Sequence, residues 1–178
     1  MDIKSEVKKA RKGDNDAFIR LVLSMKTKMY GLAFSILRNN EDCADAIQET
    51  ILKSYKSLHT LKKPEYFQTW MYRILINECN QLLRNKSKTV AVENLELMAE
   101  HGHGDYEAVA VREAVEQLDE PLRLAVNLFY FQDLSMRDVG DVLGIKEGAV
   151  KGRLFRARQQ LMRILGDSPE RMVAHESK

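Results

Sequence analysis

Cysteine, proline and glycine are all scarce in this chain, at 2, 3 and 9 of 178 residues. Cys43 and Cys79 stand far apart and in no paired motif. That excludes a disulfide-stapled scaffold and suits a reducing compartment. So few breakers favour long helices over many-turned β structure. No apolar run approaches the ~20 residues of a membrane-spanning helix. The N-terminal MDIKSEVKKARKGD is charged and has no apolar core, so a secretory leader is not expected. Net charge is missing too: 28 Lys+Arg against 26 Asp+Glu leave +2. Nor are the spacings of enzyme chemistry present, with no nucleophile–base pair, no Gly-rich phosphate loop and no His/Cys metal spacing. His101 and His103 come nearest, two ligands without a third. No catalytic residue, metal, cofactor or small-molecule substrate is expected. The two cysteines fall on or beside apolar helix faces and read as small core residues, with a redox switch as the lesser alternative.

What is present is helical periodicity. Ser5 to Lys12 reads as a short basic helix, stopped by Gly13, with Asp14 or Asn15 placed to cap the next. From Asp16 to Arg38, Phe18, Leu21, Val22, Met25, Met29, Leu32, Ala33 and Ile36 recur at i, i+3, i+4 and i+7 steps, which predicts an amphipathic helix. After the Asn39-Asn40 turn, Glu41 to Leu58 repeats the pattern with Ala44, Ile47, Ile51, Tyr55 and Leu58. The acidic first turn of that segment, Glu41, Asp42 and Asp45, suits the helix dipole. His59 to Lys63 reads as a loop, and Pro64 sits well at a first helical position. Glu65 to Arg84 follows, with Phe67, Trp70, Met71, Ile74 and Leu75 as its apolar side. No segment alternates with period two.

Composition then shifts. Between Lys88 and Arg112 there is no Lys or Arg, while Glu93, Glu96, Glu100, Asp105 and Glu107 accumulate. Residues 86–105 therefore read as a flexible acidic linker between a first domain, 1–85, and a second, 106–170, with a tail at 171–178. In the second domain, Ala108 to Leu118 and a Pro121-led segment to about Phe131 read as helices. Ser135-x-x-Asp138 is a capping box opening a short helix to Leu143. Gly144 makes a tight turn, and Glu147 to Leu165 is the last long helix. Two helices across a short Gly-bearing turn are a helix-turn-helix signature. The expected fold class is all-α, two small helical domains, the second a helix-turn-helix DNA-binding domain.

On the wheel of the last helix, Val150, Leu154, Ala157 and Leu161 form a buried stripe, at ~100° per residue. Gly148, Gly152, Phe155, Arg156, Gln159 and Arg163 lie opposite. From Lys146 to Leu165 six basic residues face one acidic residue, Glu147. An apolar back, a basic front and small residues near the N-terminus suit entry into a major groove. Arg156 is placed to reach a guanine edge, and Lys151 and Arg153 to reach phosphates. A solvated basic face on a core helix is the competing reading. Phe155, off the stripe, is expected to pack on a neighbouring helix rather than contact a thymine methyl.

Several strings now count together: Gly13-Asp14-x-Asp16-Ala17-Phe18, Asp42 to Thr50 (DCADAIQET), Phe67 to Asn77 (FQTWMYRILIN), Leu134 to Ile145, and Gly148 to Leu154 (GAVKGRL). In this order and spacing they resemble the extracytoplasmic-function sigma factors of bacteria, over nearly the whole chain outside the linker and the last dozen residues. The resemblance implies an initiation subunit that binds core RNA polymerase, directs it to promoter DNA and helps melt the minus-10 element, while catalysing nothing itself. It implies that Asp42, Asp45, Gln48 and Glu49 dock on the β′ clamp helices, and that the second domain meets the β flap. The physical case beside it is that an acidic, amide-bearing helix face suits a basic partner. It assigns His59, Lys62, Lys63, Tyr66, Tyr72, Arg73, Asn77 and Arg84 to the minus-10 element. Extruding and holding a base needs polar groups for its edge, cations for the backbone and apolar walls. Asn77 falls at the family's pocket asparagine, Tyr72 and Arg73 are expected to be exposed, and Trp70 is expected in the core. Glu147, Ala149, Lys151, Gly152, Arg153 and Arg156 are assigned to the minus-35 element.

The pattern is broken at Leu61, where the family often carries an aromatic, and at Ala149 and Gly152, where it usually has Thr and Ser. The resemblance further implies a cytoplasmic bacterial protein held by an anti-sigma factor, often membrane-anchored. The competing function is a stand-alone helix-turn-helix regulator, which would bind duplex DNA alone and usually as a symmetric dimer. No heptad or apolar dimer helix supports it.

Overall fold

The computed structural model describes the backbone of residues 1–89 and 106–166 and the side chains of 1–86 and 110–166. Among the described residues there are helices and turns and no strand. The order is α1 (Ile3–Ala10), α2 (Asn15–Leu37), α3 (Asn40–Ser57), α4 (Phe67–Thr89), α5 (Tyr106–Glu116), α6 (Glu120–Val126), α7 (Met136–Leu143) and α8 (Glu147–Gly166). They fall into two compact units, the first holding α1–α4 and the second α5–α8 with the exception of Asp141–Gly144. No helix among them is long and apolar enough to cross a membrane. The tail and the linker from residue 90, with His101 and His103, lie outside the described residues.

The helix starts follow from capping chemistry. Asp14 Oδ1 accepts the Ala17 N–H at 2.9 Å and opens α2, and Asn39 Oδ1 accepts the Asp42 N–H at 3.0 Å and opens α3. These satisfy N–H groups that have no intrahelical partner. Arg38 closes α2 in the left-handed region, at φ 52°. In the core of this unit, Leu21, Met25, Met29 and Leu32 of α2 meet Phe67, Met71, Tyr72, Leu75 and Cys79 of α4, all essentially without solvent contact.

Two stripes differ from the sequence expectation. On α3 the buried row is Cys43, Ala46, Thr50 and Ser54, while Ala44 and Tyr55 are exposed and Ile47 and Ile51 half-buried. The Thr50 and Ser54 hydroxyls donate to Ala46 O and Ile51 O, at 2.7 and 2.9 Å, so they enter the core with their polarity satisfied by their own helix. Such small residues let α3 approach α2 and α4 closely. On α4 the buried arc is wider than expected, because the helix packs against both α2 and α3. It takes in Tyr72 and Ile76, leaving Trp70 and Ile74 half-buried.

The fourth helix also runs on to Thr89, so residues 86–89, expected in the linker, are helical. This carries Lys86 up to the first turn of α3, where its Nζ meets Asp42 Oδ2 at 2.7 Å. The smallest helix of this unit, α1, is pinned to α2 by the buried Val7 and by Glu6, whose carboxylate holds Lys9 at 2.8 Å and Arg20 at 2.6 Å.

In the second unit α8 packs on α6 and α5. The α6 helix gives way after Val126 to a π-turn, Asn127–Phe131, where Gln132 N–H donates to Asn127 O at 3.1 Å. Arg123 is buried and its guanidinium donates to Leu118 O at 2.6 Å, satisfying a carbonyl just beyond the end of α5. Ser135 caps α7 as expected, with Asp138 N–H donating to Ser135 Oγ at 3.1 Å, and the Ser135 hydroxyl donates in turn to Asp138 Oδ2 at 2.6 Å. Gly144 adopts φ +66°, which glycine takes at no steric cost. Gly140 meets a tighter demand: a Cβ there would lie 2.7 Å from Ile145 O, so the turn between α7 and α8 closes on bare backbone.

Candidate functional site

Three surfaces can be built from the expected residues. The first is the outer face of α3. Asp45, Gln48 and Glu49 are exposed at i, i+3 and i+4. Leu52, at i+7, extends the same face and is 44% exposed. It was missed in the sequence because an apolar residue in an amphipathic helix reads as core. Asp42 departs from the expected group. It is buried, and its carboxylate is taken by Lys86, because the longer α4 brings that cation within reach. Lys86, at the start of the expected linker, is engaged in that pair.

The second surface surrounds the loop between α3 and α4. A 3₁₀ turn, Leu58–Thr60, starts it and a second, Pro64–Tyr66, ends it. Leu58 and Leu61 are buried and anchor the loop, which leaves His59, Lys62 and Lys63 exposed. Leu61, where the family often has an aromatic, thus acts as a core anchor. The Lys63 ammonium lies 5.8 Å from the centroid of the Tyr66 ring, within cation–π range. Along α4, Arg73, Asn77 and Arg84 are all exposed. At ~100° per residue they fall within about 40° of one line. Tyr72, expected beside them, is not: it is fully buried, on the widened core arc. Trp70 leans on Phe67, with ring centroids 6.1 Å apart, and is only half-buried.

Beside Asn77 lies an open groove of about 400 Å³, lined by Lys53, Lys56 and Ser57 of α3 and by Ile74, Asn77 and Glu78 of α4. Glu78 pairs with Lys53 at 2.6 Å. The groove therefore offers an amide, a hydroxyl, an apolar wall, the Lys56 ammonium and the Lys53–Glu78 ion pair. Lys53, Lys56 and Ser57 were not singled out in the sequence because their placement beside Asn77 depends on α3 lying against α4. The i, i+3, i+4 spacing of these polar residues at the end of α3 was the available signal.

The third surface is the front of α8. Val150, Leu154 and Ala157 are buried, as the wheel predicts, while Leu161 is half-buried. Glu147, Ala149, Lys151 and Arg156 are exposed, and Gly152 and Arg153 half-buried. Arg156 Nε is within 3.4 Å of Gly152 O, so its guanidinium starts out folded along its own helix. Phe155, expected to pack on a neighbouring helix, is 59% exposed. Among the described residues, α8 packs mainly on α5 and α6.

Burial pushes the Cys43 thiol up to about 11 and the Cys79 thiol up to about 12. Both are buried and neutral at ordinary pH, which is the behaviour of packed core residues. Among the described residues no group of His, Cys, Asp and Glu is placed to hold a metal.

Comparison with known proteins agrees with this layout. The family model for Sigma-70 region 2 matches residues 21–89, and that for Sigma-70, region 4 matches residues 108–161. The RNA polymerase sigma factor SigV of Bacillus subtilis is 30% identical over 148 residues, 82% of this chain and 89% of its own. The ECF RNA polymerase sigma factor SigM of Mycobacterium tuberculosis is 31% identical over 156 residues, 86% of this chain and 80% of its own. Among solved structures, the sigma factor RpoE of Bartonella quintana, crystallised with the anti-sigma factor NepR, has the same fold. Its TM-score is 0.69 at 23% identity, over 85% of this chain and 98% of that one. With both regions matched in chain order and relatives this similar along most of their length, the chain belongs to the extracytoplasmic-function RNA polymerase sigma factors of the sigma-70 family.

Proposed function

We propose a division of labour for this sigma factor in which the first unit docks on core polymerase and opens the promoter, and the second positions the complex on the minus-35 element. In this reading Asp45, Gln48, Glu49 and Leu52 face the β′ clamp helices, with acidic and amide groups meeting a basic partner around one apolar contact. Asp42 acts indirectly, by holding Lys86. Asn77 pairs with the edge of an extruded base in the groove of Lys56, Ser57 and Ile74. Arg73, Arg84, Lys62 and Lys63 neutralise the backbone of the opened strand, and His59 and Tyr66 border its path. In the second unit, Arg156 reads a base edge while Lys151 and Arg153 hold phosphates on either side.

The observation that carries this reading is the row of Arg73, Asn77 and Arg84 along one exposed line of α4, beside a groove of mixed polarity. The chain catalyses no step; bond formation belongs to the polymerase. We place it in the bacterial cytoplasm. We also read it as the target of an anti-sigma factor, the kind of partner seated on the Bartonella quintana protein. The test is reconstitution with a bacterial core RNA polymerase, run-off transcription and start-site mapping. Promoter-dependent initiation is expected, with Asn77→Ala losing melting while holoenzyme still assembles. Absence of stimulation on every promoter sampled would refute the function. Normal melting by Asn77→Ala would refute the pocket.

A further inference from the structure

Residues 4–12 hold five cations, Lys4, Lys8, Lys9, Arg11 and Lys12, against one carboxylate, Glu6. None of the surfaces above uses them. The buried side of α1 is formed by Glu6 and Val7, flanked by the half-buried Ile3 and Ala10. Glu6 is neutralised from within, by Lys9 and by Arg20 of α2. Its carboxyl is accordingly held below the usual glutamate value, first by the hydrogen bond from Lys9 and then by that from Arg20. The one carboxylate inside this run is thus spent, and so is Lys9.

The remaining cations form a face. At ~100° per residue, Lys4, Lys8 and Arg11 fall within about 60° of one another, opposite Glu6 and beside the buried Val7, which lies about 40° from Arg11. Lys12 follows in the turn that closes the helix, its N–H on Lys9 O at 2.9 Å. All four are exposed. Their location ties them to the loop between α3 and α4. Besides α2, α1 packs against the Pro64–Tyr66 turn, the end of the loop that presents Lys62 and Lys63. The two sets of cations therefore sit on elements in direct contact.

We infer that the Lys4–Lys8–Arg11–Lys12 face of α1 is a phosphate-binding surface for promoter DNA, continuing the cationic track of Lys62 and Lys63. The inference rests on the proposed minus-10 reading of that loop. A polyanion with phosphates spaced along a strand suits four cations spread over two helical turns better than a single acidic side chain would. Such contacts fix position and carry no sequence information, so this face adds affinity at any promoter the holoenzyme recognises.

The test uses holoenzyme assembled from the full chain and a core polymerase that the wild-type protein activates, on a promoter recovered by start-site mapping. The variant is K4Q/K8Q/R11Q/K12Q, whose changes are all exposed, and circular dichroism verifies that it folds. Affinity for core polymerase should be unchanged. Promoter affinity should fall about tenfold or more, and the slope of log K against log salt should shrink by about 0.7 to 0.9 for each phosphate that the variant leaves unneutralised. The loss should be equal on promoters altered within the minus-10 element. An unchanged slope would overturn the inference, leaving a merely solvated face. So would a loss located in core binding, which would make the face a protein contact. K62Q/K63Q run in parallel separates the two ideas. If it alone weakens melting, the minus-10 reading stands and the α1 surface falls. If it has no effect while the α1 variant does, α1 binds DNA and the reading of the loop fails.

Discussion

The same substitution, glycine to alanine, is expected to act with opposite sign at two helical positions of the second unit. Gly152 is inside α8, and a Cβ there would meet nothing within 4 Å. Alanine should therefore collect the intrinsic helix gain of up to ~1 kcal/mol, with no packing penalty. Gly140 is inside α7, and a Cβ there would lie 2.7 Å from Ile145 O. That oxygen is backbone, and Ile145 N–H donates to Gly140 O at 3.0 Å across the same turn, so relief requires moving the turn itself. Forced overpacking costs about 1–3 kcal/mol, which exceeds the helix gain and leaves a net loss of up to ~2 kcal/mol. Thermal unfolding of the full chain, followed by far-ultraviolet circular dichroism and fitted for the transition of the second unit, measures both. A 1 kcal/mol change corresponds to about 4–8 °C in Tm for a domain of 60–100 residues. Gly152→Ala should raise the midpoint and Gly140→Ala should lower it. If both move it in the same direction, the close approach at Gly140 is not what holds the α7–α8 turn.

Asp42→Lys should weaken the first unit, because the Lys86 ammonium, 2.7 Å from the Asp42 carboxylate, would then face a like charge; Lys86→Asp added to it should restore most of the lost stability and core-polymerase affinity in a double-mutant cycle. No restoration would return Asp42 to the direct polymerase contacts. The depressed carboxyl of Glu6 makes α1 docking depend on pH: the contribution is present above the ordinary glutamate value of 4.5 and is lost as pH falls through the lower folded value. Glu6→Gln should lower stability at pH 7 and flatten its acid dependence in unfolding titrations, whereas a parallel curve would refute the linkage. Cys43 and Cys79, raised by burial, should resist iodoacetamide at pH 8 in the folded chain and react once it is unfolded. Their raised values contribute stability that is complete below the ordinary thiol value of 9.0 and is lost as pH rises through about 11 and 12.

Helix order, most caps and the helix-turn-helix were legible because they depend on short-range chemistry. Asp14, Asn39 and Ser135 accept N–H groups three residues on, and Gly144 supplies a positive φ. Such signals lie within one turn of chain. Asp45, Gln48, Glu49 and Arg156 were likewise placed on helix faces by spacing, while Arg73 and Asn77 were assigned by the family resemblance; all six are exposed. The stripes were less legible. A wheel assumes one buried side, while α4 is buried on two, which is why Tyr72 was misplaced. Thr50 and Ser54 were left out of the apolar stripe because the wheel does not count hydroxyls satisfied by their own helix. Phe155 was expected to pack on a neighbouring helix because aromatic rings usually seek burial, yet it is 59% exposed.

By itself the sequence determined the class of molecule: an all-α chain with two helical units, a basic reading helix, and a near-zero net charge made of segregated charges that largely cancel. Those properties follow from residue type and spacing, which act over one or two helical turns. Tertiary structure alone decided which groups are available. It took Asp42 and Lys86 out of use by pairing residues 44 positions apart, assembled the Lys56–Ser57–Ile74–Asn77 groove from two helices, and set α1 against the Pro64–Tyr66 turn. Charge neutralisation and burial depend on separations of a few ångströms in space, and helical periodicity cannot report contacts between residues so far apart in the chain.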